Sequence, residues 1–290
     1  MHPVLLHFED EVDLASRIAA AAGLRTAYVR RHRFPDGELK LRLPGQLPPR
    51  VALLRSLAHP NEKLVEILLA ARTARTLGAT TLTLVAPYLA YMRQDMAFAP
   101  GEAVSQRVVG AFLADLFDAV ITVDPHLHRI ERLNQVIPVQ RTAVLSAAPL
   151  LADLIVQRRP RALLVGPDME SAQWVAQAAA RHGLDHAVCR KLRHGDRHVE
   201  IAMPDVAVRG RAVVLLDDVA SSGHTLARAA RELLAAGAAS VDVAVTHALF
   251  ADDAGQLLWN AGIRQVWSAD CIAHPSNAVS VAPAIAAALR

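Results

Sequence analysis

Short apolar runs recur along the chain at residues 4–8, 51–55, 81–86, 119–123, 162–165, 212–216, 241–246 and 264–267. Rich in Val, Leu and Ala and mostly without strict alternation, they predict strands buried on both faces. Between them, residues 10–22, 61–77, 104–117 and 169–182 place apolar side chains at helical spacing, and Gly23, Gly78 and Gly183 stand where three of these helices stop. Shorter strands are expected at 27–29 and 186–190, and the polar, charged segment 191–197 reads as an exposed loop. Strand, helix, strand in this order predicts parallel sheets with crossover helices. The pattern runs twice, with residues 136–147 as a short strand and connector, so the expected domains are 1–145 and 146–290. The fold class is α/β, two similar lobes, each a mostly parallel sheet flanked by helices. Polar and charged residues collect where strands end, the edge at which open α/β sheets bind ligands.

Composition narrows the classes. The chain has 290 residues, 53% hydrophobic and 20% charged, enough for two packed cores and unlike a disordered chain. Its 31 basic and 28 acidic residues are scattered, and aromatics make up 4%. A nucleic-acid binder concentrates its basic residues in a stripe with interleaved aromatics, which is not present. Cys189 and Cys271 sit in apolar surroundings without metal-ligand spacing, so they read as packing residues in a reducing cytoplasm. The N-terminus carries no basic segment followed by an apolar core, and no run approaches a membrane span. A cytoplasmic protein with no membrane partner is expected.

The richest stretch is residues 213–226. An apolar strand reaches Asp217 and Asp218, then Ser221, Ser222 and Thr225 surround Gly223 and His224, and a helical pattern starts at Leu226. Backbone N–H groups at a helix N-terminus, with hydroxyls beside them, suit a phosphate. The two carboxylates repel phosphate but accept hydrogen bonds from vicinal hydroxyls, or hold a metal. A phosphorylated sugar satisfies both ends; an ordinary helix-capping turn is the plainer alternative for the Asp-Asp pair alone. Pro35-Asp36-Gly37 is a turn signature and by itself predicts a hairpin.

The 213–226 stretch resembles the phosphoribosyl pyrophosphate (PRPP) motif of type I phosphoribosyltransferases and of ribose-phosphate pyrophosphokinases. Further strings resemble the second family: Phe34-Pro35-Asp36-Gly37-Glu38, Arg93-Gln94-Asp95, Thr122-Val123-Asp124-Pro125-His126, Gly166-Pro167-Asp168 and Lys191-Leu192-Arg193. The resemblance implies two phosphoribosyltransferase-like lobes, ATP on the first and ribose 5-phosphate on the second. It implies that Phe34, Asp36 and Glu38 address adenine, reaching a neighbouring subunit of a homo-oligomer, and that Arg93, Gln94 and His126 hold the nucleotide. His126 and Asp168 are implied as Mg2+ ligands, and Lys191 and Arg193 as catalytic cations. Asp217 and Asp218 would take the ribose hydroxyls, and Ser221, Ser222, Gly223 and Thr225 the 5-phosphate. The implied reaction joins the pyrophosphoryl group of ATP to the C1 hydroxyl of ribose 5-phosphate, giving PRPP and AMP for nucleotide biosynthesis. Residue types fit: a purine face takes an aromatic and its exocyclic amine an acceptor. Departures are Met96 for a basic residue, Leu192 for Arg and His224 for Gly; Pro100-Gly101-Glu102 and Ser221 resemble the archaeal-type group. Two alternatives remain open at this point: a phosphoribosyltransferase that consumes PRPP, and a non-catalytic regulatory homologue within an oligomer.

Overall fold

The first apolar run forms β1 (Val4–His7), buried throughout. It is followed by α1 (Val12–Ala22), β2 (Arg25–Tyr28), β3 (Arg30–Arg33), β4 (Leu39–Arg42), β5 (Arg50–Leu54), α2 (Pro60–Thr76), β6 (Thr81–Ala86), α3 (Ser105–Leu116), β7 (Ala119–Val123) and β8 (Arg141–Leu145). Then come α4 (Ala148–Arg158), β9 (Leu163–Gly166), α5 (Ala172–His182), β10 (His186–Val188), β11 (Arg190–His194), β12 (His198–Ala202), β13 (Ala212–Ala220), α6 (His224–Ala235), β14 (Ser240–Ala248), α7 (Ala254–Asn260), β15 (Ile263–Ala269), β16 (Asn277–Val279) and α8 (Ala282–Leu289). These elements come from a computed structural model describing residues 3–127, 129–194, 198–202, 206–251 and 253–290, with 190–194 and 198–202 followed along the backbone alone. Among the described residues no helix is long and apolar enough to cross a membrane.

The strands form two six-stranded sheets, ordered β2-β1-β5-β6-β7-β8 and β10-β9-β13-β14-β15-β16. Every neighbouring pair in both is parallel. The two orders are the same once β9 is matched to β1, and in each the second and third strands of the chain are separated by a two-stranded antiparallel hairpin, β3–β4 or β11–β12. Side chains alternate across each strand. On β13, Val213 and Leu215 face a cluster with Leu226, Ala230 and Leu233 of α6, whereas Val214 and Leu216 face one with Val175 and Ala178 of α5 and Leu151 and Ile155 of α4. In the first sheet Leu6, Leu53, Leu84 and Val120 pack with Ile67 and Ala70 of α2 and Leu113 of α3.

Three sequence expectations need correction. The strand expected to stop at 216 continues to Ala220, because β14 runs alongside it as far as Ala248. Of residues 191–197, expected as a loop, 191–194 belong to β11, paired with β12 from Arg190↔Ala202 to His194↔His198; the polarity of the segment concealed a strand. Residues 195–197 lie outside the described residues. The division into 1–145 and 146–290 also changes, since the chain separates into Met1–Leu145 with Val281–Arg290, and Ser146–Ser280.

That last change reflects a reciprocal exchange. The helix following the last strand of the first sheet, α4, packs on α5 and beneath β14–β16 of the second unit, while α8, following the last strand of the second sheet, packs on α1 and β8 of the first. Each is fixed by polar bonds. Arg181 and His182 of α5 bind Asp153 of α4 at 2.6–2.8 Å, and the Arg181 bond, with His182 beside it, holds the Asp153 carboxyl down at about 2. At the other end Arg141 binds the Ala288 carbonyl and Arg290 donates to the Ala21 carbonyl at 2.8 Å. Deleting residues 281–290 should therefore uncover α1 in the first unit and leave the second intact. Hydrogen-exchange mass spectrometry should find protection in peptides spanning 4–22 lowered by about tenfold or more, with peptides spanning 212–248 unchanged; equal loss in both would contradict this division.

Candidate active site

In the second unit the candidate residues converge at the carboxyl edge of neighbouring strands. Asp217 and Asp218 belong to the second half of β13, one half-buried and the other buried, and the Asp218 N–H donates to the Asp217 carboxylate at 3.0 Å. Asp168 follows the adjacent strand β9 and caps a short 3-10 turn, accepting from the Glu170 N–H at 3.0 Å. Gly166 leaves room for that turn: a Cβ there would lie 2.3 Å from the Ser171 hydroxyl, which itself donates to the Asp168 carbonyl. Burial, and then the negative charges of Asp218 and Asp168, push the Asp217 carboxyl well above the usual range. This excess of negative charge fits a hard divalent cation or hydroxyl donors at the strand ends. Among the described residues no group of three or more His, Cys, Asp or Glu forms a metal cage, so a cation here would complete its shell with substrate oxygens and water. Cys189 has its thiol pushed up to about 11 by burial and the Asp168 charge, consistent with packing and not with nucleophilic chemistry.

The phosphate-cradle candidates follow directly. Ser221 is half-buried, Ser222 exposed, and Gly223 takes a left-handed φ of 75° as the residue before α6. A side chain at Gly223 would also press on Leu258 of α7 at 3.3 Å, so both backbone angle and packing call for glycine. His224 is the first helical residue and exposed, which explains how histidine is accommodated there; Thr225 is the second. The loop hangs from the segment after β14: Leu249 and Phe250 both donate to the Ala220 carbonyl, at 3.0 and 2.9 Å, and Ala251 donates to that of Ser221 at 3.1 Å. Phe250 in turn packs against His274, their ring centroids 4.9 Å apart. Nothing in the local sequence of the loop announces this support.

In the first unit, Phe34-Pro35-Asp36-Gly37-Glu38 closes the β3–β4 hairpin, as the turn signature predicts. The Phe34 N–H bonds to the Glu38 carbonyl at 2.9 Å, the Glu38 N–H bonds to the Asp36 carboxylate at 3.1 Å, and Phe34, Asp36 and Glu38 are all exposed. Arg93 and Gln94 lie in the long connection after β6, Arg93 exposed and Gln94 half-buried, and His126 lies after the neighbouring strand β7. These two connections are joined by Arg129, one nitrogen of which reaches both Asp95 oxygens at 2.7 and 2.9 Å. Buried Gln106 holds the first from below, its amide donating to the Met92 carbonyl at 3.0 Å and its backbone N–H to that of Gln94 at 3.2 Å. Sequence reasoning missed both: only the parallel pairing of β6 and β7 brings Arg129 to Asp95, and Gln106 reads as an ordinary polar residue of the first turn of α3 until the connection before it folds back over it. Lys191 and Arg193 fall on β11, where their side chains lie outside the described residues, as does His128.

Comparisons with known proteins bear on the chain as a whole. Residues 4–116 match the family model of the N-terminal domain of ribose phosphate pyrophosphokinase, and residues 141–283 match that of the phosphoribosyl transferase domain. A ribose-phosphate pyrophosphokinase of Methanopyrus kandleri is 34% identical over 99% of this chain and 98% of its own, and one of Halobacterium salinarum is 32% identical over 99% and 100%. The crystal structure of phosphoribosylpyrophosphate synthetase from Mycobacterium smegmatis superposes with a TM-score of 0.85, covering 100% of this chain and 98% of that one at 23% identity, a likeness of fold. With relatives that similar from end to end, and both halves matched in order, the chain belongs to the ribose-phosphate pyrophosphokinase family.

Proposed function

We infer that this chain is a ribose-phosphate diphosphokinase, transferring the β,γ-pyrophosphoryl group of ATP to the C1 hydroxyl of ribose 5-phosphate to give PRPP and AMP. The observation carrying it is the end-to-end similarity to relatives bearing that name, over a strand-end carboxylate pair that leads into a hydroxyl-rich loop at a helix N-terminus.

Asp217 and Asp218 accept hydrogen bonds from the ribose hydroxyls and orient C1. Ser221, Ser222 and Thr225, with the amides around Gly223, hold the 5-phosphate at the start of α6, where the N–H groups and the helix dipole favour an anion. Phe34 stacks on the adenine, while Asp36 and Glu38 accept from its amine; Arg93 and Gln94 hold the nucleotide. As Mg2+ ligands we propose His126 in the first unit and Asp168 in the second, each considered within its own unit; magnesium would neutralise charge on the triphosphate. In the step itself the C1 oxygen forms a bond to the β-phosphorus, the bond from that phosphorus to the α–β bridging oxygen breaks, AMP departs with that oxygen, and the hydroxyl proton is released. Lys191 and Arg193 stabilise the charge that builds on the transferring group. We assign a homo-oligomer in which the Phe34 hairpin serves the nucleotide of a neighbouring copy.

Incubating the purified chain with ATP, Mg2+ and ribose 5-phosphate should yield AMP and PRPP in equal amounts, with AMP absent when the sugar phosphate is omitted. Failure to form AMP across several divalent metals and phosphate concentrations overturns the assignment. Lys191→Ala should lower kcat by about 10^2–10^3-fold while moving either KM by about threefold or less, the signature of a group acting in the transition state. Unchanged turnover would remove Lys191 from the mechanism.

A further inference from the structure

The β3–β4 hairpin is a two-stranded sheet of its own, hydrogen-bonded to neither large sheet. Such a ribbon has little stability alone, so its direction depends on what one face of it touches. The register places Arg31 opposite Leu41 and Arg33 opposite Leu39, on one face, with Arg30, His32, Lys40 and Arg42 on the other. Leu41 packs against the core of the first unit, and β4 contacts α2. The arginines beside it are bound ionically: Arg31 to Glu66 and Arg33 to Glu62, both carboxylates on α2.

Glu66 is no ordinary surface partner. It is fully buried, and its second oxygen meets Arg55, itself 1% exposed, at 2.5 Å. Arg55 also reaches Asp10 at 2.8 Å and Glu11 at 3.4 Å and lies over the Phe8 ring at 4.5 Å. Glu11 accepts from the Ser56 N–H at 2.5 Å, and Lys63 donates to the Ser56 carbonyl at 2.7 Å. The exit of β1, the exit of β5 and the first turns of α2 thus form one fixed charged cluster. Arg31 docks the hairpin onto it. Swinging the hairpin away would strip one cation from a buried carboxylate, a change that low-dielectric surroundings oppose.

We propose that Arg31, through buried Glu66, is the positioning residue that aims the Phe34–Glu38 turn at its nucleotide, with Arg33 and Glu62 as a weaker, exposed second tie. This rests on the reading of that turn as the adenine-binding segment. Arg31→Gln leaves Glu66 paired with Arg55, so the variant should fold. In the free protein, amide exchange across residues 30–42 should quicken by about tenfold or more, with exchange in β5 and β6 unaltered. Steady-state assays should show KM for ATP raised by about tenfold, with kcat and KM for ribose 5-phosphate within about twofold. Arg31→Lys should fall between, and Arg33→Gln should give a smaller effect in the same direction. Unchanged exchange in Arg31→Gln overturns the docking role. Faster exchange with an unmoved KM for ATP overturns the nucleotide role of the turn. If the wild type makes no PRPP, the reading of the chain's function fails separately, and titration with ATP alone then compares wild type with Arg31→Gln: equal affinity overturns the proposal, weaker affinity in the variant supports it.

Discussion

Parallel strand pairing is the constraint from which the site follows. Since every neighbouring pair in both six-stranded sheets is parallel, each strand must return through a crossover, and every strand exit falls on the same edge. Asp168 after β9, Asp217 and Asp218 on β13, and the loop that follows them are neighbours for that reason alone. The same rule puts the Arg93–Asp95 connection beside the one carrying His126 and Arg129. Residues tens of positions apart become one surface because their strands run side by side in the same direction.

The shared strand order also exposes a difference in what the two edges contain. Matched by topology, β5 of the first sheet corresponds to β13 and β1 to β9. Where the second unit gathers three carboxylates, the first answers its acids with a base: Arg55 follows β5, set against Asp10 and Glu11 after β1 and Glu66 from α2. Burial still pushes the Glu11 carboxyl up to about 7, even with Arg55 attached. Removing one member of so buried a set typically costs about 3–5 kcal/mol. The first edge at β1 and β5 therefore sets its acids against a buried cation, while the second gathers carboxylates from neighbouring strands.

Much of this was legible in the residues. Apolar runs ended in carboxylates, glycines closed helices, and Pro35-Asp36-Gly37 announced a hairpin, because each of these is a local effect. The length of β13 was not local, since it depends on β14 continuing beside it. Nor was the pairing of Arg31 with Glu66, two strands further along the chain, or of Arg129 with Asp95, a helix and a strand apart, since either arginine reads as a solvated surface charge. The destination of α8 was invisible for a different reason. Its sequence, Ala-Pro-Ala-Ile-Ala-Ala-Ala-Leu, covers any apolar surface equally well.

That destination bears on where the chain can be cut. The first unit is discontinuous, Met1–Leu145 completed by Val281–Arg290, whereas the second, Ser146–Ser280, is one unbroken stretch. A fragment ending at Leu145 lacks the helix that packs on α1 and β8, while one spanning 146–280 keeps α4 on α5. Preparing the first unit alone therefore calls for residues 281–290 to be joined back onto it.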